Sequence, residues 1–198
     1  TGALLYGAYD AAYNYGEVVA SAHAEAGDAT AYGVAAFGVF GSSIYNAAGA
    51  TVQADAGTLA GDAAAQGVNN QGYLYSAYVD NAGEISASAT TGDGDASAIG
   101  VVNIANLYGT AATSNNGQIR AEADSANGGD AEAIGVYSYA YVYGGIAVAN
   151  AGTIAASAVG QGYANATGIA GVFYDGLAEI DNQDEVSALA LSLGGAYG

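Results

Sequence analysis

Cysteine is absent from these 198 residues, and so are methionine, tryptophan and proline. Without cysteine there is neither a disulfide framework nor a thiolate metal site. Basic residues are almost missing as well: Arg120 stands alone against 19 Asp and Glu, for a formal charge of −18. That balance excludes nucleic acid as a partner, because its phosphates are held by Lys and Arg. It argues equally against an anionic membrane surface, and no segment is apolar for the length of a membrane span. We expect no membrane insertion. The charge favours solubility and mutual repulsion of chains, and leaves cations as the partners it would attract. The lack of Lys and Met suits an exposed material that resists trypsin and oxidation. The only histidine, His23, has no second His and no Ser/His/Asp spacing around it, so we expect no enzyme. The chain opens Thr1-Gly2, which reads as a processed product or a fragment.

What is present is apolar and small. Hydrophobic residues make up 52%, mostly Ala and Val, beside 32 Gly and 17 Tyr. Such a chain can bury a core, which disfavours disorder.

A motif Asn-x-Gly-x-(Ile/Val)-x-Ala-x-Ala recurs along the chain. Its aliphatic anchor falls at Val18, Val52, Ile85, Ile119, Ile154 and Val186, in steps of 34, 33, 34, 35 and 32 residues. Two and four residues after every anchor stands Ala: Ala20 and Ala22 in the first repeat, Ala188 and Ala190 in the last. The residues between are mixed and mostly polar. Ala favours helix by propensity, but fixed positions at i, i+2 and i+4 belong to a strand with one buried face. A second block, Gly-Asp-Ala-x-Ala-x-Gly-Val, runs from Gly27 to Val34 and returns at Gly61, Gly94 and Gly129, with a degenerate copy from Gly162. It reads as a second strand entered through a glycine turn. A third, aromatic-rich block ends each repeat on Asn. Three short strands and three turns in about 33 residues predict an all-β fold, a parallel β-solenoid or β-helix of about six coils over residues 1–198. A propeller blade would need about 40 residues and hairpin turns.

The segments Asn81-Ala82-Gly83-Glu84-Ile85-Ser86-Ala87 and Asn150-Ala151-Gly152-Thr153-Ile154-Ala155-Ala156 resemble the repetitive passenger domains of bacterial autotransporters and filamentous-haemagglutinin-like secreted adhesins. The resemblance covers nearly the whole chain. It implies a right-handed β-helix and an extracellular or cell-surface location. It carries over no catalytic residue, since one fold hosts many functions.

Stacked coils bring equivalent residues together. Asn14, Asn46, Asn81, Asn115, Asn150 and Asn182 then form a ladder able to pass amide hydrogen bonds from coil to coil. Asp28, Asp62, Asp95 and Asp130 stack as carboxylates. They either bond nearby backbone amides or form weak candidates for Ca²⁺ between coils. Tyr75, Tyr108, Tyr137, Tyr139, Tyr141 and Tyr143 belong to the aromatic block. They fill the wall opposite the Ala strands, stack as a solvent-facing ladder, or form a surface for glycans, cells or filament contacts. Asn165-Ala166-Thr167 fits a glycosylation sequon.

The two termini complement each other. Gly194 to Gly198 followed by Thr1, Gly2 and Ala3 reproduces the second block, and neither end carries a cap. Leu4, Leu5, Leu189, Leu191 and Leu193 add apolar residues at the two ends. These features fit either a segment of a longer solenoid or a subunit that completes its neighbour's last coil; we expect the second, a self-assembling structural protein stacked head to tail into a filament or surface matrix. The alternative is a cell-surface adhesin that binds glycans through its tyrosines.

Overall fold

The structure, a computed structural model, describes residues 1–193. Sixteen strands follow one another without a helix among these residues. They are β1 (Ala3–Asn14), β2 (Glu17–Ala24), β3 (Ala29–Asn46), β4 (Thr51–Ala60), β5 (Ala63–Gly72), β6 (Ala77–Asn81), β7 (Glu84–Asp93) and β8 (Ala96–Ala105). The second half of the chain continues with β9 (Ala111–Asn115), β10 (Gln118–Ser125), β11 (Ala131–Ala140), β12 (Ile146–Asn150), β13 (Thr153–Gly160), β14 (Ala164–Phe173), β15 (Ala178–Asn182) and β16 (Val186–Ser192). All pairings among them are parallel. The result is a parallel β-solenoid of about six coils.

Each coil has three faces. The first is the sheet β2-β4-β7-β10-β13-β16, which contains the anchors. The second is carried by β5, β8, β11 and β14 with the first part of β3, and the third by β6, β9, β12 and β15 with its last part. Three short strands per coil therefore hold only from the second full coil onward. In β1 and β3 the second and third faces run as one strand of 12 and 18 residues. Gly38 and Gly41 keep the backbone of β3 close around that corner, where a Cβ at Gly41 would stand 3.3 Å from the Ser76 carbonyl.

The anchors form one column, Val18-Val52-Ile85-Ile119-Ile154-Val186, each paired in register with the next. Two further aliphatic columns face it. One runs from Ala3 through Val34, Val68, Val101 and Val136 to Ile169. The other runs from Ala12 through Ile44, Val79, Thr113 and Val148 to Ile180. These three columns fill the wide part of the cross-section. Burying one such Val or Ile contributes about 1.5–3 kcal/mol.

The narrow part is built from Ala alone. Ala54, Ala56, Ala87, Ala89, Ala121 and Ala123 of the first face meet Ala63, Ala65, Ala96, Ala98, Ala131 and Ala133 of the second. This corrects one expectation from the sequence: large aromatic side chains do not fill the space opposite the Ala strands. A second all-Ala strand closes onto the first, methyl against methyl, and no such space exists.

The cross-section turns from narrow to wide at a glycine column, Gly2, Gly33, Gly67, Gly100, Gly135 and Gly168, which lies against the anchors. A Cβ at Gly33 would stand 2.6 Å from Val52 Cγ1, and one at Gly67 would stand 2.6 Å from Ile85 Cγ2 and 2.7 Å from the Gly100 carbonyl. Glycine is needed there for close approach, and at the opposite turn for its backbone: Gly61 and Gly94 have φ of 123° and 134°. Gly67→Ala should therefore destabilise the fold by about 1–3 kcal/mol through overpacking. Gly16→Ala, where a Cβ meets nothing within 4 Å, should stay within about 0.5 kcal/mol. Urea denaturation of the two variants followed by circular dichroism checks the contrast.

Candidate functional site

The functional candidates are repeated rows of side chains together with the two outermost coils. The strongest row is asparagine. Asn14 Nδ2 donates to Asn46 Oδ1 at 2.9 Å, Asn46 to Asn81 at 2.8 Å, and Asn81 to Asn115 at 2.8 Å. Asn115 donates to Asn150 at 2.7 Å and Asn150 to Asn182 at 2.8 Å. Every step runs towards the last coil. The second amide hydrogen reaches a backbone carbonyl at the start of the first-face strand one coil further on, as from Asn81 to Gln118 O at 3.0 Å. Asn46, Asn81, Asn115 and Asn150 are buried. A side chain that stacks on copies of itself in the interior must both donate and accept, and the Asn amide does both.

The aspartate row behaves as a cap. Asp28 Oδ1 accepts from the Asp62 amide at 3.0 Å, Asp62 from the Asp95 amide at 3.0 Å, and Asp95 from the Asp130 amide at 2.9 Å. Asp130 accepts from the Tyr163 amide at 2.7 Å, so the row continues where the sequence has Tyr in place of Asp. Each carboxylate thus has a backbone donor from the coil above. Among the described residues no group of three or more Asp, Glu or His side chains comes together in a way that could hold a metal ion.

Two rows escaped the sequence reading. Six residues after the anchor, inward hydroxyls tie each coil to the turn of the coil before. Thr58 donates to Gly27 O at 2.9 Å, Thr91 to Gly61 O at 2.8 Å, Ser125 to Gly94 O at 2.8 Å and Ser192 to Gly162 O at 2.7 Å. A Thr or Ser at a fixed offset from Val52, Ile85, Ile119 and Val186 is the available signal. The second row is Asn70 over Asn103, both fully buried, joined at 3.0 Å. Each also spans the corner between the second and third faces, Asn70 to Tyr78 O at 3.1 Å and Asn103 to Ala112 O at 2.8 Å. Their separation of one repeat length is the clue.

The aromatic residues lie on the outside. Tyr137 and Tyr139 sit half-buried on the outer face of β11, which ends at Ala140, while Tyr141 and Tyr143 lie exposed in the turn beyond it. The four alternating residues are therefore divided between a strand and a turn. Rings from successive coils stack: Tyr13 on Tyr45 at 4.8 Å, Tyr9 on Phe40 at 5.2 Å, Phe40 on Tyr75 at 6.4 Å and Tyr108 on Tyr143 at 6.2 Å between centroids. Tyr139 and Tyr141 both meet Tyr174. Burial, helped by Asp80 and Tyr45, raises the Tyr78 phenol above its ordinary pKa. His23 is exposed on the outer side of β2. Asn165 of the sequon points out beside Glu132, 3.4 Å away.

At the first end, Thr1 and Leu4 are exposed, while Ala3 and Leu5 turn inward against the core. Gly2 donates to Tyr32 O at 2.8 Å and holds the same place against Val18 as Gly33 does against Val52. At the last end, Leu189 and Leu191 occupy outward positions, in register with Ser157 and Val159. They and Leu193 are exposed. Leu189 and Leu191 therefore point to the flank of the last coil. Its interior is instead presented by Ile169, Ile180, Val186, Ala188 and Ala190. Of the matched termini, Gly194 to Gly198 lie outside the described residues.

The chain matches no family model, and neither the curated proteins nor the solved structures compared with it give a match.

Asn115→Ala removes one donor and one acceptor from the buried row and should cost about 2–3 kcal/mol. Asn14→Ala, at the half-buried end where water can replace the lost bond, should cost under about 1 kcal/mol. Equilibrium urea unfolding of both variants measures the difference.

Proposed function

We propose that this chain is an extracellular structural protein whose coils continue head to tail from one copy to the next, building a filament or surface matrix. The observation that carries this reading is the pair of open edges in one register. Among the described residues, β2 and β16 each have a single neighbour in their sheet, as do β1, β14 and β15. A second copy stacked on the last coil would set its Ala3, Ala12 and Val18 over Ile169, Ile180 and Val186, prolonging all three aliphatic columns. It would also bring Asn14 Oδ1 over Asn182, whose amide at the end of the row turns back to Asp184 O at 2.8 Å. Unpaired parallel edges with an apolar interior favour such addition. The location rests on the likeness of the repeats to autotransporter and filamentous-haemagglutinin-like passengers.

Repulsion between chains of charge −18 opposes stacking, and salt screens it. Purified protein should therefore form fibres of one width in negative-stain micrographs, more of them at high salt. A chelator should leave the fibres unchanged, because the Asp row is occupied with backbone amides. A chain that sediments as a monomer at high concentration and high salt would refute the proposal.

One observation favours a second reading, a surface adhesin. Tyr6, Phe37, Val39 and Tyr73 line a cleft of about 410 Å³ together with Gln71 and Asn106. Apolar rings beside side-chain amides suit the two faces of a sugar. If the adhesin reading holds, the chain should bind on a glycan array, and Tyr73→Ala should abolish that binding.

A further inference from the structure

We propose that Tyr108 and Tyr143 form a site of oxidative cross-linking, where a peroxidase with hydrogen peroxide joins the two rings by a carbon–carbon bond. The composition directs oxidation to tyrosine. Cys, Met and Trp are absent, so the competing side chains that yield most easily to oxidants are missing. Without Cys there is no disulfide, and without Lys no amine-based bond, so tyrosine coupling is the covalent reinforcement that these residues allow.

Geometry and exposure together select the pair: Tyr13 and Tyr45 stack closer, at 4.8 Å, but Tyr45 is half-buried. Tyr108 and Tyr143 lie 35 positions apart, in the corresponding turns of adjacent coils. Their rings are nearly parallel, at 4°, with centroids 6.2 Å apart, and both are more than half exposed. The Tyr108 amide donates to Leu74 O at 3.0 Å, which holds its turn in place. Tyr143 has a φ of 50°, the only non-glycine with positive φ among the described residues. An aromatic residue takes that backbone region only where its surroundings impose it. Here the disfavoured conformation lays its ring over that of Tyr108.

The chemistry balances. Each phenol gives up one electron and one proton and becomes a phenoxyl radical. The peroxide takes up both electrons and both protons and leaves as two molecules of water. The radicals pair at their ring carbons ortho to oxygen, and the hydrogens on those carbons move to the oxygens as the rings become aromatic again. Because both tyrosines belong to one chain, the reaction is independent of whether copies assemble.

Arg120 makes the test direct. It is the only basic side chain of the Lys and Arg type, so trypsin divides the unfolded protein into 1–120 and 121–198. Among the described residues, Tyr108–Tyr143 is the only ring pair that spans this cut. Monomeric protein at low concentration would be treated with peroxidase and peroxide, unfolded, cut with trypsin and examined by gel and mass spectrometry. The expected result is a single joined species containing a Tyr108–Tyr143 cross-linked peptide by mass spectrometry, lost in both Tyr108→Phe and Tyr143→Phe. Circular dichroism would show both variants folded. Fragments that separate in the oxidised parent protein, or that remain joined in either variant, would overturn the proposal.

Discussion

Everything in this molecule follows from each residue being hydrogen-bonded, through its strand, to the residue one coil away. A side chain is packed against its own counterparts above and below, at the spacing of neighbouring strands, about 4.8 Å. Each position must therefore suit a copy of itself. Aliphatic residues do so by contact, and Val18 to Val186 remain β-branched in all six coils. Buried Asn does so because its amide donates at one side and accepts at the other. Asp does not, and its row is found only outside, where each carboxylate takes a backbone amide rather than another carboxylate.

The unusual composition is a consequence of this constraint and of the shape of the coil. Where the first and second faces close on each other, only a methyl fits, which accounts for the long series of Ala. Where the backbone must pass the anchor, even a methyl is too large, which accounts for Gly33, Gly67, Gly100 and Gly135. Tyr is excluded from both regions and accumulates on the outside. There, rings one repeat apart fall on each other, as Tyr13 does on Tyr45.

Most of the fold is legible in the sequence, because the period of the repeat and the alternation within it are direct images of the stacking. The anchors, the Ala pairs and the Asn row are read from spacing alone. The shape of the cross-section is not. Spacing places Ala54 and Ala65 on strands, but not the two strands on each other, so the missing bulk invites the wrong filling with aromatics. Likewise Leu189 and Leu191 attract attention by being apolar in the final coil, yet parity along β16 puts them on the flank. The hydroxyl row is visible only once Thr58, Thr91 and Ser125 are aligned with their anchors, since Ala24 and Gly160 interrupt it. The candidate surfaces are less legible still. The approach of Tyr108 to Tyr143 depends on the backbone of a turn: Leu74-Tyr75, Leu107-Tyr108 and Val142-Tyr143 recur at the same place in three coils, yet only Tyr143 has a positive φ.

The asparagine row has one further implication. Its amide groups point the same way from Asn14 to Asn182, so their individual moments add along the axis, much as peptide units do in an α-helix. The last coil becomes the positive pole and the first the negative one. Asp175, Glu179, Asp181, Asp184 and Glu185 crowd that positive pole, against Asp10, Glu17, Glu25 and Asp28 at the other end, so the row offsets part of the carboxylate field where it is densest.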